Sequence, residues 1–219
     1  MAITIEDVRR ALEAAPLTIG TNGIISKGAL AGKAGPVDYT IHLGWDLVIA
    51  HLCDHAWGSF NVCLLRQIRK LGAEGVDIAP ILASAQLEDH HWRWLDKSMY
   101  YRGDCYKWFF LVAEGYPQAA CLIYHPKASV AGAGDIFYVE YIAAAPWNRE
   151  NVVAERVFKG VGPKLLDRVI SYAKDALALR QGFSLHSLPQ AVEFYEKLGM
   201  KAFPQYDKGE LKFFEWVST

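Results

Sequence analysis

The sequence predicts an α/β (α+β) domain built on a mixed β-sheet flanked by helices, preceded by a mostly helical extension. Three observations carry this. After residue 75, short β-rich runs alternate with amphipathic helical runs. A glycine turn, Lys159-Gly160-Val161-Gly162, opens a helix with one apolar face. Hydrophobic residues make up 52% of the 219 residues and charged residues 21%, a balance that supports a packed core rather than disorder.

Before residue 75, Ile5 to Ala15 reads as a short helix with Val8, Leu12 and Ala15 on one face. Gly20 to Gly35 holds five glycines and reads as a loop. Trp45 to Leu71 repeats apolar residues at helical spacing, with Gly58 as a bend and Gly72 as the C-terminal cap. Residues 1–75 are therefore expected to form the helical extension, and 76–219 the α/β domain.

In the second part, Ile78 to Ala85 is a candidate strand and Glu88 to Met99 a candidate helix. Lys107–Glu114 and Gln118–Tyr124 flank Gly115-Tyr116-Pro117 as two strands joined by a tight turn. Asp135 to Ala145 is a strand closed by Pro146. Gly162 to Leu179 is a helix carrying Leu165, Leu166, Val169, Ile170, Ala173 and Leu177 on one face. Phe183–His186 is a short strand, Gln190–Leu198 a helix closed by Gly199, and Leu211–Trp216 a final strand.

The net charge is -1, with no Lys/Arg run long enough to track a phosphate backbone, so nucleic acid is not the expected partner. The four cysteines form no CxxC pair. The N-terminus lacks a basic segment followed by an apolar one, and no apolar stretch approaches the ~18 residues of a membrane span. A cytoplasmic protein with reduced thiols is expected.

At the glycine turn, Gly160 and Gly162 let the backbone bend without a Cβ between it and a ligand. The first amides of the helix have no intrahelical partner, and the helix dipole adds positive potential, so a pyrophosphate fits there. Lys159 and Lys164 add charge. Pro163 suits the first helical position but removes one donor. A third glycine and a tight strand–turn–helix unit are both missing, which excludes the dinucleotide fingerprint.

Two further segments extend this pattern. Tyr138-Val-Glu-Tyr-Ile-Ala-Ala-Ala-Pro146 precedes the turn, and Ser187-Leu-Pro-Gln-Ala-Val-Glu-Phe-Tyr-Glu-Lys-Leu-Gly-Met200 follows it. Taken together, the three resemble the GNAT acetyltransferase superfamily over roughly residues 76–217. The resemblance implies a centrally splayed sheet whose fourth and fifth strands part around the pantetheine arm of acetyl-CoA, the co-substrate. By position, Ile142, Ala143 and Ala144 would meet that arm, and Val157, Lys159, Gly160, Val161, Gly162 and Lys164 the phosphates. The sequence departs from the family in carrying Val157 where Gln or Arg is usual, with Arg156 one residue early. It also has Leu188 in place of a common Asn, and a longer link, Trp147 to Arg156, that is either a substrate lid or a surface loop.

Acyl transfer to an amine needs a base for the ammonium proton and an acid for the leaving thiolate. The resemblance places Glu140 as base and Tyr195 as acid. Counting along the strand puts Glu140 opposite Val139 and Tyr141. Cys121, on a strand, reads as a small core residue. His51 and His55, spaced i, i+4 in His-Leu-Cys-Asp-His, lack the Glu of a zinc-protease motif and read as helix-face residues, so no metal is expected. His90-His91-Trp92 reads as part of a surface helix, the alternative implied by the resemblance being contact with the acceptor. The aromatics Trp92, Trp94, Tyr100, Tyr101, Tyr106 and Trp108 are either core or walls of an acceptor pocket.

The expectation is an N-acetyltransferase acting by direct attack on acetyl-CoA, with a small-molecule or peptide amine as acceptor. The alternative is a non-catalytic acyl-CoA-binding or protein-interaction module with the same fold. A homodimer is compatible with either.

Overall fold

The computed structural model describes residues 4–14 and 16–218. Its centre is one eight-stranded mixed sheet in the order β1-β2-β3-β4-β5-β6-β8-β7. The strands are β1 (Ile24–Gly32), β2 (Gly35–Leu43), β3 (Tyr106–Ala113), β4 (Tyr116–Ala128), β5 (Asp135–Ala144), β6 (Gly182–Ser187), β7 (Lys201–Ala202) and β8 (Lys212–Val217). Every neighbouring pair is antiparallel except β5–β6, which is parallel. A parallel pair needs a long crossover, and the helix α6 (Val161–Leu177) supplies it.

Helices cover both faces. On one, α6 packs Val161, Leu165, Leu166, Val169 and Ala173 against Phe109, Leu111, Cys121, Phe137 and Val139, with Tyr195 and Met200 closing the cluster. On the other, Ile49 and Ala50 of α2 (Leu47–Leu52), Cys53 and Trp57 just after it, and Trp94 of α5 (Trp94–Tyr100) cover Trp108, Phe110, Ala120 and Leu122. Burying these apolar side chains on both faces is the main favourable term holding the three layers together. No helix among the described residues is long and apolar enough to cross a membrane.

The segment read as a glycine loop is instead the β1–β2 hairpin, and the expectation is corrected. Its glycines have other uses. At Gly28 a Cβ would lie 2.7 Å from the Tyr39 hydroxyl, so the glycine admits the cross-strand tyrosine, while Gly35 takes φ +132° beside the turn. β2 then pairs with β3, so the sheet runs across the sequence division at residue 75.

The first helix is α1 (Ile5–Glu13), held by a Thr4–Asp7 capping box; Ala15 lies outside the described residues. The expected single helix over 45–71 is three pieces: α2, a π-helical stretch Cys53–Trp57 immediately before Gly58, and α3 (Gly58–Ala73). Gly72 is inside α3. Gly75, with φ +86°, is the left-handed residue that ends it. Ile78–Ala85 is helical rather than extended: α4 (Ala79–Ser84) starts where Asp77 Oδ1 accepts the Ala79 N–H, with Pro80 in the first turn. The helix expected over 88–99 is a turn followed by α5. A 3₁₀ turn, Pro189–Ala191, shortens the last helix to α7 (Val192–Lys197).

Candidate active site

β5 and β6 pair only at Phe137, Tyr138 and Val139 opposite Phe183, Ser184 and Leu185. Beyond Val139 they diverge, which is the central splay expected from the sequence. Where they part, β5 carries a β-bulge: Ile123 pairs with Val139 but Leu122 pairs with Tyr141, leaving Glu140 as the extra residue. The bulge breaks strand alternation. Val139 packs on the α6 side and Tyr141 on the α5 side, so the expectation that both lie opposite Glu140 is corrected. Glu140 instead shares electrostatic surroundings with Tyr101, Tyr106, Tyr138 and Lys97.

After the bulge, β5 presents backbone to the gap. The Ala145 N–H donates to Gln118 O at 2.8 Å, and Ala143 faces Ala120 two residues back. Alternation of an antiparallel ladder then turns the amides of Ala143 toward β4, and those of Ile142 and Ala144 toward the gap. The Ala144 carbonyl is already engaged: Arg149 donates to it through Nε (3.0 Å) and Nη2 (2.7 Å).

Across the gap, Gly160 caps α6 with φ +71°, a left-handed conformation that suits glycine. α6 begins at Val161, so Pro163 is its third residue rather than its first. The Lys164 N–H closes the first turn onto Gly160 O, leaving Val161 and Gly162 as the free amide donors of the terminus. A Cβ on Gly160 or Gly162 would meet open space.

Ile142, Ala143, Ala144, Gly160, Val161 and Gly162 line a single cavity of about 360 Å³, completed by Leu188, Gln190, Ala191 and Phe194 ahead of and within α7. Val157, Lys159 and Lys164 are not among its walls. Val157 and Lys159 are exposed, and Lys164 lies over the Tyr39 ring of β2, 5.5 Å from its centroid.

The basic wall residues are ones the sequence pattern did not assign. Arg156 lines the cavity where Val157 does not, bonded to Glu150. Arg149 bridges β5 to the segment before α5, donating through Nη1 to Asp89 Oδ1 (2.6 Å) and to Gln86 O (2.9 Å). Both members of the Arg149–Asp89 pair are largely buried, at 13% and 11% exposure.

The link from Trp147 to Arg156 is thus a wall of the cavity. Its neck is closed twice: the Val157 N–H donates to Trp147 O (3.1 Å) and the Phe158 N–H to Asn148 Oδ1 (3.0 Å). Gln118 anchors that neck, accepting from Trp147 Nε1 and Asn148 Nδ2.

The two candidate catalytic side chains sit on opposite faces of the sheet, and neither lines the cavity. Burial raises the Glu140 carboxyl above its ordinary range, partly offset by Lys208 and Lys97. Tyr195 is 8% exposed and packs with Phe194 and Phe214 near Cys121; burial pushes its hydroxyl well up, so it stays protonated. Cys121 is buried, as a small core residue would be.

On β6, burial holds His186 below its usual range. Its Nε2 lies 2.9 Å from Tyr206 O, a group that only accepts, so Nδ1 accepts from the Tyr138 hydroxyl at 2.6 Å. On the other flank, Tyr141 packs edge-on against Trp92 and Tyr101. Of the aromatics noted in the sequence, Trp94 and Trp108 are core, Tyr101 and Tyr106 surround Glu140, and Tyr100 is exposed. In His-Leu-Cys-Asp-His, His51 is buried and Asp54 accepts the Trp94 and Leu95 N–H groups, holding the start of α5. Burial raises Asp54 to about 6.

No protein-family model and no curated protein matches the sequence. Among solved structures, the chain is similar to a GNAT-family protein from Desulfovibrio desulfuricans (TM-score 0.49, 14% identity, 82% of this chain and 98% of that one). It is similar to the PaiA N-acetyltransferase of Thermoplasma acidophilum, solved with coenzyme A (TM-score 0.47, 12% identity, 81% and 99%). The GNAT domain of S. lividans PAT matches at TM-score 0.53 and 9% identity, over 88% of this chain and 97% of that one. On this last likeness, with the mixed sheet and the β5–β6 splay, the chain has the GNAT fold.

Proposed function

We propose that the chain is an acyl-CoA-dependent N-acyltransferase that moves an acetyl group to an amine by direct attack. The observation that carries this is the convergence of the β5 end, the Gly160–Gly162 turn and the α7 entry on one cavity at the strand divergence. Glycines and free amides at the start of α6 suit phosphates. The Ile142 amide groups and the Ala144 N–H suit the pantetheine arm. With Ala144 O held by Arg149, the arm would use one acceptor fewer there.

In the proposed reaction the amine nitrogen attacks the thioester carbonyl, an amide forms and the C–S bond breaks. Glu140 takes the proton of the ammonium, directly or through water, and its raised pKa brings it nearer neutral pH, where a general base works best. Tyr195, protonated in its buried setting, supplies a proton to the departing thiolate and is reprotonated by the second proton that the attacking nitrogen sheds as the amide forms. Backbone amides of β5 polarise the carbonyl. Free-thiol release from acetyl-CoA, measured with an amine panel, tests this: E140Q and Y195F should each slow release while acetyl-CoA binding persists.

One observation favours a second reading. Tyr195 lies outside the cavity lining, as a packed core aromatic would. A non-catalytic acyl-CoA-binding module is supported if the protein binds acetyl-CoA and no amine stimulates thiol release.

A further inference from the structure

The surroundings of Glu140 are unusual for a carboxylate near two ammoniums. Lys97 on α5 and Lys208 in the turn before β8 both act on it electrostatically. Neither is close enough to neutralise it: among the described residues, Lys97 and Lys208 make no ion pair within 4.0 Å. Cations that served only to keep Glu140 ionised would be expected in contact with it.

The Lys97 ammonium is instead placed by other contacts. The Lys97 Nζ sits over the Tyr141 ring, 3.5 Å from its centroid, and 5.5 Å from that of Trp92. Aromatic faces hold an ammonium in position without consuming its charge as a carboxylate would. The helix bearing it is pinned at its start by Asp54. The turn bearing Lys208 is tied to β5 through the Tyr138–His186–Tyr206 relay, two residues before the bulged Glu140. Two elements far apart in sequence therefore bring positive charge toward one candidate base.

We infer that the acceptor is an amine that also carries an anionic group, a carboxylate or a phosphate, with Lys97 and Lys208 receiving the anion while Glu140 faces the amine. This rests on the acyltransferase function proposed above and narrows its substrate class. An acceptor with one charge of each sign matches a site with a carboxylate between two ammoniums, and a plain cationic amine would meet net repulsion from the lysines.

The test uses matched pairs of amines with acetyl-CoA: γ-aminobutyrate against butylamine, phenylalanine against phenethylamine, and O-phosphoethanolamine against ethanolamine. Wild-type protein should favour the anionic member of at least one pair by ~tenfold or more in kcat/KM, chiefly through KM, the carboxylate and phosphate pairs telling the two groups apart. In K97M/K208M that preference should fall by ~tenfold, and K97E should lower it further. The preference is a ratio within one preparation, so a loss of folded fraction cancels. Equal use of both members, or a preference that survives K97M/K208M, overturns the inference. So does acetyl-CoA binding with no member of any pair acylated, which leaves the acyl-CoA site standing. Failure to bind acetyl-CoA by calorimetry removes the proposed function itself.

Discussion

The two sides of the β5–β6 divergence are built from different materials. On the cavity side the walls given by β5 and the start of α6 are backbone and small or apolar residues, Ile142, Ala143, Ala144, Gly160 and Gly162, and the charged walls come from the link and the segment before α5. On the Glu140 side the walls are titratable and aromatic: Tyr101, Tyr106, Tyr138 and Lys97 act on one carboxylate. Backbone amides recognise a ligand whose polar groups recur at fixed spacing and tolerate many sequences. Side chains recognise a particular molecule and are sensitive to each substitution. The contrast is that expected of a shared donor on one side and an individual acceptor on the other.

The sharpest way to break the comparison is Glu140. E140Q should lower kcat by about 100-fold or more with little change in acetyl-CoA affinity, read by thiol release and calorimetry. The base acts when deprotonated and its pKa is raised, so wild-type kcat/KM should fall as pH drops through a value above the ordinary carboxylate range. E140Q should lose that limb. Y195F comes next, with kcat lower by roughly tenfold to 100-fold. Because burial raises the Tyr195 hydroxyl, its loss of a proton should set no alkaline limb below the usual tyrosine range.

On the cavity side, R149A leaves Asp89 buried and unpaired and should cost about 3 kcal/mol in denaturant unfolding. It should also raise KM for acetyl-CoA more than it lowers kcat. An R149A variant as stable as wild type would deny the clamp a structural part.

The smallest effect concerns Asp54. Its folded pKa is raised to about 6 from 3.8. The stabilisation tied to its protonated form is therefore complete below the unfolded value and is lost as pH rises through about 6. From pH ~5 to ~7.5 wild type should lose about 1–2 kcal/mol through this group, and D54N should not, a difference readable in urea titrations at the two pH values.

Much of the fold was legible because periodicity reports burial. The α6 face, the two-faced strands β3 and β4, and β5 ending before Pro146 all follow from apolar spacing. The β1–β2 hairpin was hidden by glycines that serve a cross-strand contact, Gly28 beneath Tyr39, rather than a loop. Ile78–Ala85 looked extended from its apolar run, yet the Asp77 and Pro80 start signals prevailed. The glycine turn was visible, as were the β5 residues across from it. Arg149 was not, since its meaning depends on Asp89, 60 residues earlier. The bulge at Glu140 leaves no mark in a one-dimensional pattern, and with it went the direction of the side chain.

The doubly closed neck of the Trp147–Arg156 link bears on how such a protein can diversify. Trp147 with Val157, and Asn148 with Phe158, bring the ends of the loop together on a buried glutamine of the sheet. Between those ends Arg149 is fixed to β5 and to Asp89, so the part left free of the scaffold's hydrogen bonding is the stretch beyond it. That stretch can lengthen, shorten or change composition as a cassette, altering the rim of the cavity while the strands beneath keep their register.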